Sequence, residues 1–336
     1  MSDSQKIDFL AIGDIVTDAF IELQDATVNC DINSDACTIS MRWGDKIPYK
    51  QVTVVPAVGN GPNASVSAAR LGLSSALMSH LGNDMYGNEA METLQKNGVN
   101  TDLMTMQDGK KTNYHYVLSF NAERTILIKH EEFVYDLAKQ TADKPIPTWV
   151  YFSSVGEHGL PYHREIAKWI SENNIKMAFQ PGTFQIKLGI EKLSDIYSAT
   201  EIFFCNKDEA KRILKTKEDD IEKLLRDVQS HGPKTVIISD GPNGAYAFDG
   251  EHGWFMPMYP DPKPPIDRTG AGDSFSSTVT SYIAMGYPLS EALSRGPINS
   301  MSVVQYMGAQ EGLLSKDKIE EYLSNAPDDY KVKQIF

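Results

Sequence analysis

Short apolar runs, each followed by turn residues and then by apolar positions at helical spacing, recur through most of the chain. They predict core strands at 7–12, 149–152, 177–179, 201–205 and 235–238. Because strands that alternate with helices form parallel sheets, we expect an α/β fold. A mostly parallel central sheet should carry helices on both of its faces.

A second set of segments alternates apolar and polar residues, which is typical of half-buried strands. They lie at 20–28, 37–43, 49–55, 114–120 and 125–129. We expect them to form a small separate sheet, inserted at about 16–57 and 110–130. An ordinary extension of the main sheet is the alternative.

Composition and charge restrict the classes of partner. The chain has 336 residues, of which 41% are hydrophobic and 23% charged, as in globular proteins. Its 32 basic and 45 acidic residues give a net charge of −13, which disfavours nucleic acids and anionic membranes as partners. Neither a signal-like segment nor a long apolar window occurs, so we expect a cytoplasmic protein.

Cysteine and histidine offer little chemistry by spacing alone. Cys30, Cys37 and Cys205 are too few for a disulfide framework, and we expect all three to be reduced. His130, His158 and His163 form no metal-binding motif, and we expect them at the surface.

Residues 267–275 read DRTGAGDSF, where a Pro-rich loop gives way to an amphipathic helix. Gly270 and Gly272 allow backbone N–H groups to converge on one point, and the helix dipole adds positive potential there. Asp273 falls in the first helical turn. The segment predicts an anion-binding cradle with a base beside it; the alternative is that Asp273 only complements the dipole.

Residues 57–72 read AVGNGPNASVSAARLG. The pattern Gly59-x-Gly61-x-x-Ala64 matches a dinucleotide-binding fingerprint, but Pro62 lies within the turn and the first core strand lacks the motif. On its residues alone, Asn63 is a candidate N-cap for a helix over 64–71.

Two carboxylates, Asp14 and Asp18, follow the first core strand. Open α/β sheets bind ligands at that edge, and a carboxylate accepts two hydroxyl hydrogen bonds at once. Either residue could instead cap a turn.

In their order along residues 7–309, these motifs resemble the PfkB/ribokinase family of carbohydrate kinases, and DRTGAGDSF resembles its C-terminal signature. The resemblance implies that 1–336 is a single kinase domain with a ribokinase-like fold, and that the small sheet is a lid over the substrate. It assigns Asp273 as the catalytic base, with the anion hole formed by Gly270, Ala271 and Gly272.

The same resemblance implies substrate-binding residues, namely Asp14, Asp18, Gly59 and Asn63. It further implies that Asn206, in an Asn-x-x-Glu motif, contacts the nucleotide and that Glu209 holds Mg²⁺ through water. Without the resemblance, this pair is read as a helix N-cap with an acidic first turn.

A nucleotide loop is implied at 239–244, with Ser239, Gly241 and Gly244 at the matching positions. A type I′ or II turn on Asn243-Gly244 explains the same letters. The resemblance at Asp267 and Gly308 implies a monovalent cation such as K⁺ beside the cradle. Val58, Gln180 and Ser277 depart from the family pattern and leave the substrate open.

The resemblance therefore implies ATP- and Mg²⁺-dependent phosphorylation of a sugar hydroxymethyl group, as in a ribokinase or fructokinase. A homodimer through the lid is expected. A nucleoside kinase is the alternative, with a base held by lid aromatics among Trp43, Tyr114, Tyr116 and Phe120. A non-catalytic sugar-binding protein would need a missing base or cradle, and neither is missing.

Overall fold

The computed structural model describes residues 6–30, 37–120 and 123–336. The strands are β1 (Phe9–Ile12), β2 (Val16–Leu23), β3 (Thr27–Cys30), β4 (Cys37–Ser40), β5 (Tyr49–Val58), β6 (Ser75–Met78), β7 (His80–Gly82), β8 (Thr105–Gln107), β9 (Asn113–Phe120), β10 (Glu123–Leu127), β11 (Trp149–Phe152), β12 (Lys176–Phe179), β13 (Ile202–Asn206), β14 (Thr235–Ser239), β15 (Ala245–Phe248), β16 (Gly253–Met256) and β17 (Lys333–Gln334). The helices are α1 (Asn60–Arg70), α2 (Met85–Lys96), α3 (Leu137–Thr141), α4 (Leu160–Glu172), α5 (Thr183–Leu188), α6 (Ser194–Ala199), α7 (Lys207–Leu214), α8 (Ile221–Gln229), α9 (Ala271–Ala284), α10 (Leu289–Leu293), α11 (Gly296–Val303) and α12 (Lys316–Ser324).

The main sheet has the strand order β17-β16-β15-β14-β13-β12-β11-β1-β6 in the described part of the chain. Neighbours from β6 through β14 pair in parallel, and the strands from β14 to β17 pair antiparallel. All five predicted core strands are present, with ends shifted by at most two residues. The predicted mostly parallel sheet is confirmed.

Alternate residues of the core strands face opposite layers of helices. Phe9 of β1 packs in the cluster that includes Val279 of α9. Leu10, the next residue, packs in the cluster that includes Ile166 of α4. Helices therefore cover both faces, as the alternation of strands and helices predicted.

The predicted small sheet is also present, with the order β10-β9-β2-β5, but the predicted segment 37–43 is not part of it, because β4 pairs with β3 in a separate two-stranded sheet. Strand β2 pairs in parallel with β9 and antiparallel with β5, so the two inserted segments meet along it. Because β2 starts four residues after β1 ends, this sheet is tied directly to the carboxyl edge of the main sheet.

The cysteine prediction was wrong for one pair. Strands β3 and β4 form a separate exposed hairpin in which Cys30 lies opposite Cys37, and the two are joined by a disulfide. Cys205 is free and buried in β13. Within the described ranges, no helix has the length and apolar character needed to cross a membrane.

Candidate active site

Helix α1 begins earlier than predicted, and the backbone of Gly59 explains where it starts. Gly59 precedes the helix with φ 122°, and a Cβ there would lie 2.7 Å from the carbonyl oxygen of Asp14. Only glycine permits both the backbone conformation and the close approach. The helix therefore starts at Asn60 against the end of β1, and Asn63 lies in its first turn instead of capping it.

Helix α9 begins at the predicted cradle. Gly270 is its N-terminal cap with φ 79°, and a Cβ there would lie 2.3 Å from the Cβ of Ala309. The first backbone bond of the helix runs from Ser274 N to Gly270 O at 2.8 Å. Gly272 and Asp273 come before Ser274 in the chain, so their N–H groups have no acceptor within the helix. They lie at the positive end of the helix dipole. This end of α9 can bind an anion.

Asp273 is buried in the first turn of α9, with 8% of its surface exposed. Its Oδ1 accepts from Asn60 Nδ2 at 2.7 Å and from Gln180 Nε2 at 3.2 Å. Its Oδ2 accepts from Asn63 Nδ2 at 2.8 Å. Three neutral amides therefore orient the carboxylate, and no lysine or arginine of the described residues forms an ion pair with it.

A second layer of hydrogen bonds orients these amides. Gln180 Oε1 accepts from the hydroxyl of Tyr151, which also shares a 2.6 Å hydrogen bond with Ser276. On the other side, Gln310 Nε2 donates to Asn63 Oδ1 at 2.9 Å. Because burial raises the pKa of Tyr151 well above its ordinary value, its hydroxyl stays protonated and can donate.

Burial raises the pKa of Asp273, whereas the hydrogen bonds from Asn63, Asn60 and Gln180 lower it. Burial is the larger effect. A carboxylate with a raised pKa is a stronger base than one in water, and it remains an acceptor of hydrogen bonds.

The cavity beside Asp273 has a volume of about 370 Å³. The predicted substrate residues Asp14, Asp18, Gly59 and Asn63 all line it. The small sheet contributes further lining residues, including Phe20, and α5 contributes Phe184. A cavity of this size accommodates a monosaccharide or a nucleoside.

Two aspartate–histidine pairs lie in this cavity, and the sequence did not predict either. His130 Nδ1 lies 3.2 Å from Asp14 Oδ2, and His115 Nδ1 lies 3.4 Å from Asp18 Oδ1. The two imidazole rings are 5.4 Å apart. The prediction of a surface position was therefore wrong for His130.

The predicted surface position is confirmed for His158, which is exposed and lies 3.0 Å from Glu132. It was wrong for His163, which is buried with its Nε2 3.0 Å from Gln185 Nε2. No group of three or more potential metal ligands occurs among the described histidines, cysteines and carboxylates.

Asn206 and Glu209 form a reciprocal capping box at the start of α7. Asn206 Oδ1 accepts from Glu209 N at 2.8 Å, and Glu209 Oε2 accepts from Asn206 N at 2.9 Å. The N-cap interpretation is confirmed, and it leaves Glu209 facing the same cleft as Asp273. Burial raises the pKa of Glu209, against the hydrogen bond from Asn206.

A separate, mostly apolar cavity of about 200 Å³ lies on the far side of the cradle. Its walls include the predicted nucleotide residues Ser239, Gly241 and Gly244, together with Ala271 and Gly272. The predicted turn types were wrong. A type I′ turn needs positive φ on Asn243, which it lacks, and a type II turn needs ψ near 0° at Gly244, where ψ is −155°. Gly241–Asn243 forms a short 3₁₀ helix instead.

Asp267 precedes the cradle and accepts several hydrogen bonds. Thr269 donates to Oδ1 through its N–H at 2.9 Å and its hydroxyl at 2.7 Å, and Gly308 N donates to Oδ2 at 3.0 Å. Arg124 of β10 lies 3.5 Å from Oδ1. The carboxylate thus fastens the Gly308 loop to the cradle.

Of the predicted lid aromatics, none lines the cavity beside Asp273 in the described structure. Trp43 is fully exposed. Tyr114 and Tyr116 alternate with His115 along β9, so they lie on the opposite face, where their rings are 5.3 Å apart. Phe120 lines a neighbouring cavity.

The fold and the site together fit a class of protein: α/β phosphotransferases, here with a buried aspartate between a helix N-terminus and the cavity beside Asp273. The profile of the pfkB family carbohydrate kinases matches residues 26–316. Because this match spans most of the chain, the protein belongs to that family.

Known proteins support this assignment. A ribokinase of Bacillus subtilis is 25% identical over 287 residues, which cover 84% of this chain and 92% of that protein. An ATP-dependent 6-phosphofructokinase of Thermoanaerobacterium thermosaccharolyticum is 24% identical over 333 residues, which cover 95% and 94%. The Arabidopsis thaliana ribokinase structure complexed with ribose and ATP superposes with a TM-score of 0.79 at 18% identity, covering 95% of this chain and 99% of that one. The fold is ribokinase-like.

Proposed function

We propose that this carbohydrate kinase transfers the terminal phosphoryl group of ATP to a hydroxymethyl group of a sugar, as a ribokinase or fructokinase does. One observation carries the proposal: Asp273 borders both the acceptor cavity and the cleft toward Asn206 and Glu209. A base at that position can contact an acceptor hydroxyl while the cradle faces the phosphoryl donor.

In this proposal, Asp273 accepts the hydroxyl proton as the oxygen attacks phosphorus. The N–H groups of Gly270, Ala271 and Gly272 stabilise the charge that develops on the transferred group. Phosphoryl transfer depends mainly on positioning and electrostatics, so the amides of Asn60, Asn63 and Gln180 would contribute by fixing the carboxylate.

The apolar cavity bounded by Ser239, Gly241 and Gly244 suits a nucleotide base, and the cradle lies at its edge. Asn206 would contact the nucleotide from the adjacent cleft. Mg²⁺, when bound, would neutralise phosphate charge. Glu209 would hold it through water, since one carboxylate with water and phosphate oxygens satisfies the octahedral preference of Mg²⁺.

K⁺ beside Asp267 stays a proposal. Asp267 already accepts hydrogen bonds from Thr269 and lies near Arg124. A cation at this place would therefore use backbone carbonyls as most of its ligands. Higher turnover in K⁺ than in Na⁺ at matched ionic strength would support the site, and equal turnover would contradict it.

We also propose that 1–336 acts as one domain, with the small sheet at 16–57 and 110–130 as a lid. A lid-mediated homodimer has support in the apolar side chains that this sheet exposes, among them Val52, Val54 and Leu127. A cytoplasmic location stays a prediction.

The names of the relatives leave the acceptor open, because one is a ribokinase and another a 6-phosphofructokinase. A nucleoside kinase also stays an alternative. Among the described residues that line the cavity, Phe20 and Phe184 offer a stacking ring, whereas the predicted Trp43 and Tyr114 lie outside it.

Acceptor-dependent release of ADP tests the proposal. We expect turnover with at least one pentose or hexose in the presence of ATP and Mg²⁺. Turnover with adenosine or cytidine and none with ribose or fructose would favour the nucleoside alternative. ADP release that no acceptor stimulates would contradict the kinase assignment.

A further inference from the structure

The acceptor cavity has an uneven distribution of charge. Among its described lining residues are four carboxylates, and none is a lysine or arginine. The carboxylates are Asp14, Asp18, Glu209 and Asp273. The cradle supplies positive potential at one end, beside Asp273, where the transferred phosphoryl group would lie. The remainder of the cavity offers no fixed cation to a second anion.

Both histidines in the cavity direct one ring nitrogen at a carboxylate. His115 Nδ1 faces Asp18 and His130 Nδ1 faces Asp14, at 3.4 and 3.2 Å. An aspartate stabilises the tautomer that carries its proton on the facing nitrogen. In a neutral imidazole the other nitrogen, Nε2, is then a hydrogen-bond acceptor.

One buried polar atom at the lid side of the cavity is unsatisfied. Within the described residues, His115 Nε2 has no hydrogen-bond partner. Buried polar atoms are seldom left unpaired unless a ligand or water completes them. His115 is paired in register with Asp18 across β9 and β2, and both residues line the cavity.

From this geometry we infer that the acceptor is an uncharged polyol, and that His115, oriented by Asp18, is the lid residue that selects its hydroxyls. The inference deepens the proposed kinase function and rests on it. A hydroxyl supplies the donor that His115 Nε2 lacks. A phosphate or carboxylate supplies only acceptors, and it would lie among carboxylates of the same sign.

Fructose and its two monophosphates provide a direct test, because fructose 1-phosphate and fructose 6-phosphate each retain one free hydroxymethyl group. Binding to the full chain is measured by titration calorimetry without ATP, with ribose beside fructose. We expect at least one free sugar to bind, and both phosphates to bind at least about a hundredfold more weakly, since like-charge juxtaposition costs several kcal/mol. A phosphate that binds as well as the free sugar would overturn the inference, and so would a failure of every sugar to bind.

The role of His115 is tested with His115→Ala against the bound sugar and its singly deoxygenated analogues. We expect the variant to bind the sugar about tenfold or more weakly, because a buried polar partner is lost. One analogue lacks the hydroxyl that His115 selects. The variant and the parent protein should bind that analogue with equal affinity. A general loss across all analogues, or no loss for the sugar, would contradict selection by His115.

His158→Ala is the matched control, since His158 is exposed and paired with Glu132 outside this cavity. It should bind the sugar as the parent does. Thermal unfolding of each variant shows whether it is folded, and the comparison of sugar with sugar phosphate needs no variant. A neutral sugar that binds through His115 without stimulating ADP release would contradict the proposed function but not the selection of sugar hydroxyls by His115.

Discussion

Replacing Asp273 with asparagine separates a catalytic base from a residue that only complements a helix dipole. The change keeps the size of the side chain and removes its ability to take a proton. We expect kcat to fall at least about a hundredfold, the lower end for loss of a general base. A hundredfold corresponds to about 2.7 kcal/mol of transition-state stabilisation.

The hydrogen bonds around Asp273 determine how this substitution should affect stability and ATP binding. The new amide would face one of the three donors from Asn60, Asn63 and Gln180, which leaves a buried donor unpaired. The unpaired donor should lower the free energy of unfolding by about 1–3 kcal/mol, and removal of a buried charge should offset this loss. The variant should therefore stay folded and bind ATP as the parent does.

The assay is steady-state ADP release at saturating ATP and acceptor, beside an ATP titration and thermal unfolding. Asp317→Asn is the matched control, because Asp317 lies in the first turn of α12 and complements that dipole. It should retain normal kcat. Near-normal kcat in Asp273→Asn would refute the base assignment and favour the dipole interpretation.

Four further outcomes follow from the site and its surroundings. Because burial raises the pKa of Asp273 and only the ionised base is active, kcat/KM should rise with pH through a midpoint above the ordinary 3.8; a midpoint at or below 3.8 would contradict this. Gly270→Ala should lower stability by about 1–3 kcal/mol, since φ is 79° and the new Cβ would meet Ala309; an unchanged melting temperature would argue against this strain. Asp18→Ala should weaken sugar binding by about 2–4 kcal/mol by calorimetry, and unchanged affinity would remove Asp18 from the site. Reduction of the Cys30 disulfide should leave kcat unchanged, because its hairpin is exposed and outside the cavity; lost activity would show coupling to the lid.

Local patterns in the sequence were sufficient to predict the main sheet, the glycine turn before α9 and the place of Asp273 in the first turn of that helix. Apolar runs and turn residues act over a few positions, so they located β11 without error and the other core strands closely. Gly270 and Asp273 belong to one short segment whose backbone and helix start are determined locally.

The orientation of the base could not be predicted, since it depends on distant segments. Asn60 and Asn63 reach Asp273 across more than two hundred residues of sequence, and Gln310 reaches Asn63 across a similar separation. No local pattern distinguishes these amides from ordinary polar residues.

The histidines of the cavity were missed for the same reason. His115 occupies a polar position in a strand and His130 a charged segment, and only the pairing of β2 with β9 brings His115 beside Asp18. The disulfide was missed because cysteines were counted without considering that a hairpin places Cys30 opposite Cys37.

Acceptor-stimulated ADP release by the unmodified protein, measured with ATP and Mg²⁺ across pentoses, hexoses and nucleosides, tests the central claim most directly. We expect stimulation by an uncharged sugar, with loss of that stimulation in Asp273→Asn. Equal ADP release with and without every acceptor, or stimulation that Asp273→Asn retains in full, would contradict it.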